Sequence, residues 1–382
     1  MATTATAGPA AGVAPRARVA LWDNARFVAI FLVVAGHSVQ RLTGGLDAAF
    51  AVYLLIYSVH IPLFVLVSGH FGKDRLEGRD LRRILTDLVA PYLVFETIWT
   101  VIQWLVEGKT TVDYANASWT LWFLLALIWW RLLLPVLAVL RWPLLWATVL
   151  AVAAGYTDEI DSTLALSRTF GLLPFFVLGW ELKRHDAGRR WQEAAPKVVT
   201  AVRGAAAVLV LAAVVTVVAG LPLWKRLHLK DFFFADDAYA TFGYDAWWAG
   251  LVRLGLLALS ALLCLAVLAL TPRGITWFTS LGAATLYVYL FHTFLLYPLR
   301  ESGVLAEQAT VPVLVLMLLL AAAITLALSS EFVRRVFRPW SSRRSGACWS
   351  GSRARRDGPR PSVTHCVARC GPPCAPSVGS PA

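Results

Sequence analysis

From about residue 20 to about residue 335 the chain alternates long apolar stretches with short polar ones. A stretch of about 20 apolar residues, coiled as an α-helix, matches the hydrocarbon thickness of a bilayer. The pattern predicts ten such helices, at about 20–41, 49–71, 84–106, 119–140, 143–156, 163–182, 204–221, 244–270, 275–299 and 309–330. The fifth is short and polar at its end. The expected fold is therefore all-α: a polytopic membrane protein of about ten transmembrane helices. Residues 1–19 read as a flexible leader, because the apolar run that follows is too long for the core of a signal peptide. The membrane domain is expected over 20–335. Residues 341–382 are rich in Arg, Pro, Gly, Ser and Cys, lack apolar periodicity, and are expected to be disordered.

Charge orients these helices. The basic connections (1–19, 72–83, 141–142, 183–203, 271–274 and 331 onward) fall on one side, and the acidic or mixed ones on the other. Basic loops stay on the cytoplasmic side, so both termini are predicted there, in a multi-pass protein of the plasma membrane. Composition agrees. The chain is 58% hydrophobic and only 15% charged, with a mean hydropathy of +0.64 and 17 tryptophans suited to interfacial belts. The net charge of +12 does not point to nucleic acid. The tail alone carries seven arginines against one aspartate, and the other basic residues serve topology. Four of the five cysteines lie in that tail, so no disulfide framework is implied. Cys366, Cys370 and Cys374 recur beside His365 at a spacing unlike a familiar zinc finger, and no metal site is assigned.

Ionisable residues inside the spans are the candidates for chemistry, since a charge in the membrane is costly. Arg26 and His37 lie 11 residues apart in the first span, on one helix face and about 16 Å apart along the axis. Asp23, one turn before Arg26, can pair with it. Arg26 and Asp23 also fit a plain interfacial pair. His60 in the second span and His292 in the ninth sit at depths overlapping His37, so three imidazoles could share a polar cavity or each fix helix packing. A neutral histidine can take a proton from a hydroxyl as it attacks an acyl carbonyl, then return it to the leaving group. Arg79, Arg82 and Arg83 before the third span could hold phosphates or only set topology. Loop 222–243 mixes aromatics with acids, including Phe232–Phe234, Asp236 and Asp237, and suits a sugar or an interfacial anchor equally.

Several stretches, in order, resemble the acyltransferase-3 family of integral membrane acyltransferases. They are Asp23-Asn24-Ala25-Arg26 with Val33-Val34-Ala35-Gly36-His37, then His60-Ile61-Pro62-Leu63-Phe64 with Ser68-Gly69. Arg79-Asp80-Leu81-Arg82-Arg83 with Pro91-Tyr92 follows, then Leu121-Trp122-Phe123-Leu124, as in the sugar O-acetylase branch. Leu173–Gly179 and Leu286–His292 complete the set. His70 departs from the pattern, which usually has an aromatic after Ser-Gly. The resemblance implies that His37 is the catalytic histidine, with Arg26 needed beside it. It implies that Arg79, Arg82 and Arg83 help to hold acyl-CoA, the acetyl-CoA-like co-substrate, with no bound cofactor. The partner would be a carbohydrate or glycolipid acceptor, for which Asp23, His60, Ser68, Trp119, Trp122 and His292 are the cavity candidates. The competing reading is a secondary transporter whose buried His and Arg line a path. Transporters commonly carry internal repeats, and the two halves of this chain show none by eye.

Overall fold

The computed structural model describes residues 19–336, apart from positions 228 and 245. The expectations for the leader before residue 19 and for the tail lie outside the described residues. Among the described residues there are helices and no strands, and eight helices are long and apolar enough to cross a membrane. Two shorter apolar helices, Trp122–Ala138 and Pro143–Tyr156, stand where the fourth and fifth spans were expected. The protein is an all-α polytopic membrane protein.

In chain order, α1 (Ala20–Val39) closes in a 3-10 turn and is followed by α2 (Asp47–Tyr57) and α3 (His60–His70). Then α4 (Gly78–Ile84) runs through a π-turn, Leu85–Val89, into α5 (Ala90–Glu107). Next come α6 (Trp122–Ala138), α7 (Pro143–Ala153), α8 (Leu166–Arg184) and the short α9 (Ala187–Glu193). The long α10 (Pro196–Ala219) leads to α11 (Leu221–Arg226), α12 (Leu229–Phe234) and α13 (Ala249–Leu270). The chain goes on through α14 (Thr285–Glu301), α15 (Val304–Glu307), α16 (Val311–Leu328) and α17 (Glu331–Val336).

Two elements differ from the expectation. The second span is two helices, broken at Ser58-Val59. Pro62 has no N–H to give to the preceding turn, so it suits the first turn of a new helix better than the middle of an old one. The stretch 78–83, expected as loop, is helix. Glu77 and Asp80 form a capping box at its start, and Lys73 bonds Asp80 at 2.7 Å. Arg79, Arg82 and Arg83 therefore ride on α4.

Helix α1 sits inside the bundle, against α3, α14 and α16, and α10 faces outward for most of its length. The closest crossing joins α3 to α8. A Cβ on Gly69 would lie 1.9 Å from the Phe176 carbonyl oxygen, and one on Gly179 would lie 1.9 Å from that of Leu66. Small residues let backbones approach where lipid offers no hydrophobic drive.

The connections sort to two ends. At one, Lys183 donates to the Gly72 carbonyl and Arg273 to that of Trp191. Buried Asn24 donates there to Pro272 and Gly274 and accepts from Thr276 and Thr279, which ties the start of α1 to the turn before α14. At the other end Lys225 pairs with Asp47, Arg168 with Asp236, Arg41 with Glu301, and Tyr297 bonds Glu107. The first end carries the basic connections.

Candidate active site

His37 occupies the last turn of α1, which places it toward the end opposite the basic connections. Gly36 beside it lets α2 come close: a Cβ there would meet Ile56 at 3.1 Å and Tyr57 at 3.2 Å. The break in the second span puts His60 in the first turn of α3, against Tyr57 with ring centroids 4.3 Å apart. His292 comes from the middle of α14. The ring centroids of His37 and His292 are 5.5 Å apart, and those of His37 and His60 are 6.4 Å apart. The expected gathering of three imidazoles is present.

Hydrogen bonds fix two of the three tautomers. His292 Nδ1 faces the carbonyls of Val288 at 2.9 Å and Tyr289 at 2.8 Å, and His60 Nδ1 faces that of Ile56 at 3.0 Å. Carbonyls only accept, so Nδ1 carries the proton in both rings and Nε2 keeps its lone pair. His292 Nε2 is buried without a hydrogen-bond partner, and so is His37 Nδ1. Buried polar nitrogens without partners are uncommon and call for an explanation. The ring of His37 is not pinned by a backbone carbonyl in this way, so it can offer either nitrogen.

His37 and His60 border a cavity of about 270 Å³, near the lower end of the range for small-ligand pockets. His37, His60, Trp119, Trp122, Arg168, Asp236, Tyr289 and Arg300 are among the residues that line it. Trp119 packs at a near right angle to His37, with centroids 6.0 Å apart, and its backbone has φ 45°. That left-handed conformation is strained for a bulky residue and persists only where neighbours hold it. Here Glu96, buried on α5, accepts from the Ser118 N–H at 2.9 Å and from its Oγ at 2.5 Å. On the other side the Tyr289 hydroxyl bonds the Thr120 carbonyl. The loop before it is tied by Asp113, which accepts from the N–H groups of Ala115 and Asn116 and from the Asn116 side chain. These bonds, that of the Asn116 side chain foremost, hold the Asp113 carboxyl below its usual range.

Other sequence candidates lie elsewhere. Arg26 is not on the wall of the cavity. Its guanidinium lies 3.8 Å over the Phe71 ring and 3.4 Å from Asp23, near His70, toward the basic end. Asp23 itself is buried, and its carbonyl packs against Gly282. The Ser68 hydroxyl bonds the Phe64 carbonyl of its own helix at 2.8 Å and is used there. Arg79, Arg82 and Arg83 are exposed on α4, with Arg79 paired to Glu77. His70 stacks on Trp22, centroids 3.7 Å apart, and so fills the aromatic position of the family pattern with an imidazole face.

Tyr57, Arg168, Tyr289 and Arg300 line the cavity without having been singled out in the sequence. Arg168 falls inside the sixth expected span, where the cost of a membrane charge is a usable signal. Arg300 falls one residue past the ninth and reads there as an ordinary interfacial charge. The two tyrosines are indistinguishable from neighbouring core aromatics. Among the described residues no group of three His, Cys, Asp or Glu side chains has the geometry of a metal site.

Residues 19–330 match the acyltransferase-3 family as an acyltransferase domain. No curated protein and no solved structure matches the chain.

Proposed function

The chain belongs to the acyltransferase-3 family of membrane acyltransferases, and on that premise we propose that it moves an acyl group, acetyl in the simplest case, from acyl-CoA to a hydroxyl of a carbohydrate or lipid-linked glycan. The observation that carries this reading is the buried, unpartnered imidazole nitrogen of His37 on the cavity wall, with the ring of His292, whose Nε2 is likewise unpartnered, packed beside it. A hydroxyl entering the cavity gives its proton to His37 as its oxygen attacks the thioester carbonyl. The tetrahedral intermediate collapses with cleavage of the C–S bond, and the proton passes from His37 to the departing CoA thiolate. The products are an ester and CoA. His60 and His292, with Nε2 kept as acceptor, suit the orientation of hydroxyls around the reacting one.

In this reading the donor comes from the basic, cytoplasmic end. Arg79, Arg82 and Arg83 are exposed on α4 and able to fork onto CoA phosphates. The position of Arg26, toward that same end, supports a part in the donor's path more than at the reacting atoms. The acceptor meets the opposite end, in the plasma membrane, where Trp119 and Trp122 offer faces for a sugar ring.

The test is CoA release from acetyl-CoA by the purified protein, with a cell-envelope glycan extract as acceptor. Release should require the extract and should fall about 100-fold or more in His37→Ala, the scale of a lost general base. Extract-dependent release that survives His37→Ala removes the catalytic role of that residue.

A further inference from the structure

We propose that Arg300 makes the histidine cavity selective for an anionic acceptor, one that bears a carboxylate or phosphate near the hydroxyl to be acylated. The proposal rests on the acyl-transfer reading for the identity of the reaction, and on the geometry around Arg300 for the charge of the acceptor.

Arg300 stands in the last turn of α14, eight residues after His292, and its side chain lines the cavity with His37. The Cα atoms of Arg300 and His292 are separated by about 12 Å along the helix, a gap that the long arginine side chain shortens. Its guanidinium lies over the Trp119 ring, with Cζ 4.5 Å from the ring centroid. Trp119 is also the ring packed at a near right angle against His37. The cation is therefore held in place on one face, beside the reacting group.

The charge balance decides what it is held for. Arg300 Nε lies 3.3 Å from Glu301 Oε1, and the same oxygen lies 3.3 Å from Arg41 Nη2. Two guanidinium groups thus share one carboxylate, which leaves one positive charge in excess. No protein acceptor bonds the Nη groups of Arg300 among the described residues. Arg168, the other arginine of the cavity, differs: its Nη2 lies 2.8 Å from Asp236 Oδ2, and that pair is neutral. The cavity wall therefore carries one cation with an open Nη edge, stacked and fixed. A planar fork in that state matches two oxygens of a carboxylate or phosphate. Because the proposed donor phosphates belong to the far, basic end, the anion that fits here is on the acceptor.

The experiment uses the full chain purified in detergent and three probes: methyl β-glucuronide, its neutral twin methyl β-glucoside, and glucose 6-phosphate. Binding is read by saturation-transfer NMR, and acetyl transfer is read in parallel. The wild type should bind one or both anionic sugars about 30-fold more tightly than the glucoside, the worth of a charge-assisted pair. The two anionic probes distinguish carboxylate from phosphate. Arg300→Gln should bring the ratio to about one. Glu301→Gln removes the competing carboxylate and should keep or raise the preference, which shows that the helix end remains folded. Equal binding of charged and neutral sugars by the wild type overturns the proposal. So does a preference that survives Arg300→Gln, or one lost equally in Glu301→Gln. Transfer that persists in His37→Ala strikes instead at the acyl-transfer reading and leaves the binding preference standing.

Discussion

His60 is set by a carbonyl of α2 across the break and His292 by carbonyls of its own helix, and the constraint on chemistry begins there. Each ring gives its Nδ1 proton to the preceding turn and so turns Nε2 outward as an acceptor. Trp119 completes the wall, but in a strained conformation that depends on Glu96. Glu96→Ala would leave the Ser118 N–H without its acceptor, a loss of about 1–3 kcal/mol for a buried donor. We expect acyl transfer to fall about 10- to 100-fold in that variant. Glu96→Gln keeps one carbonyl oxygen for the N–H, and its amide can donate to Ser118 Oγ, so it should restore most of the rate. Steady-state kinetics of both variants check this. A loss through kcat with KM nearly constant is the signature of a displaced wall, whereas equal loss in both variants would show that the carboxylate charge itself matters. At this scale the sequence reveals ionisable residues in apolar runs, so His37, His60 and His292 were legible. Glu96 carries the same signal within the third expected span, but its role does not show there, because only folding brings Ser118 to it.

Helix positions were legible for the same reason that membranes accept so few structures: every backbone group must be bonded within its own segment. Breaks and extensions within a span were harder to see. The interruption at Ser58-Val59 leaves the hydropathy of the second span unchanged, and Pro62 is its one local sign. The start of α4 hides in a charged stretch because its stability comes from the Glu77–Asp80 capping box and from Lys73, not from apolar periodicity. Ser68-Gly69 gives the clearest case of a motif with a packing cause. The glycine lets α8 approach α3 to within backbone contact, and Ser68 serves its own helix. Gly69→Ala should therefore destabilise the bundle by about 1–3 kcal/mol, the usual cost of overpacking. Thermal unfolding in detergent would register it as a lowered midpoint. Gly179→Ala should cost a similar amount. The double variant should cost less than the two together, because a crossing already pushed apart has less contact to lose.

For the whole molecule, the separation of the two ends decides which compartment each substrate comes from. The basic connections gather near Gly72, Trp191 and Arg273, whereas the histidine cavity lies toward Asp236, Arg300 and the loop that carries Trp119. If basic loops face the cytoplasm, the proposed acyl-CoA donor is drawn from inside and the proposed acceptor from the outer leaflet or beyond it. Single cysteines can test this in a background with the tail cysteines changed to serine; buried Cys264 can stay. Asp158→Cys and Arg190→Cys both place the thiol at an exposed position, on connections at opposite ends of the bundle. An impermeant maleimide added to intact cells should label Asp158→Cys and spare Arg190→Cys until the cells are opened. The reverse pattern would put the arginines of α4 outside, away from cytoplasmic acyl-CoA, and the donor would then have to be an acyl carrier of the outer face. Orientation thus bears on donor chemistry as directly as any residue in the cavity, because His37 can serve a thioester only if the thioester reaches it from the side where CoA is made.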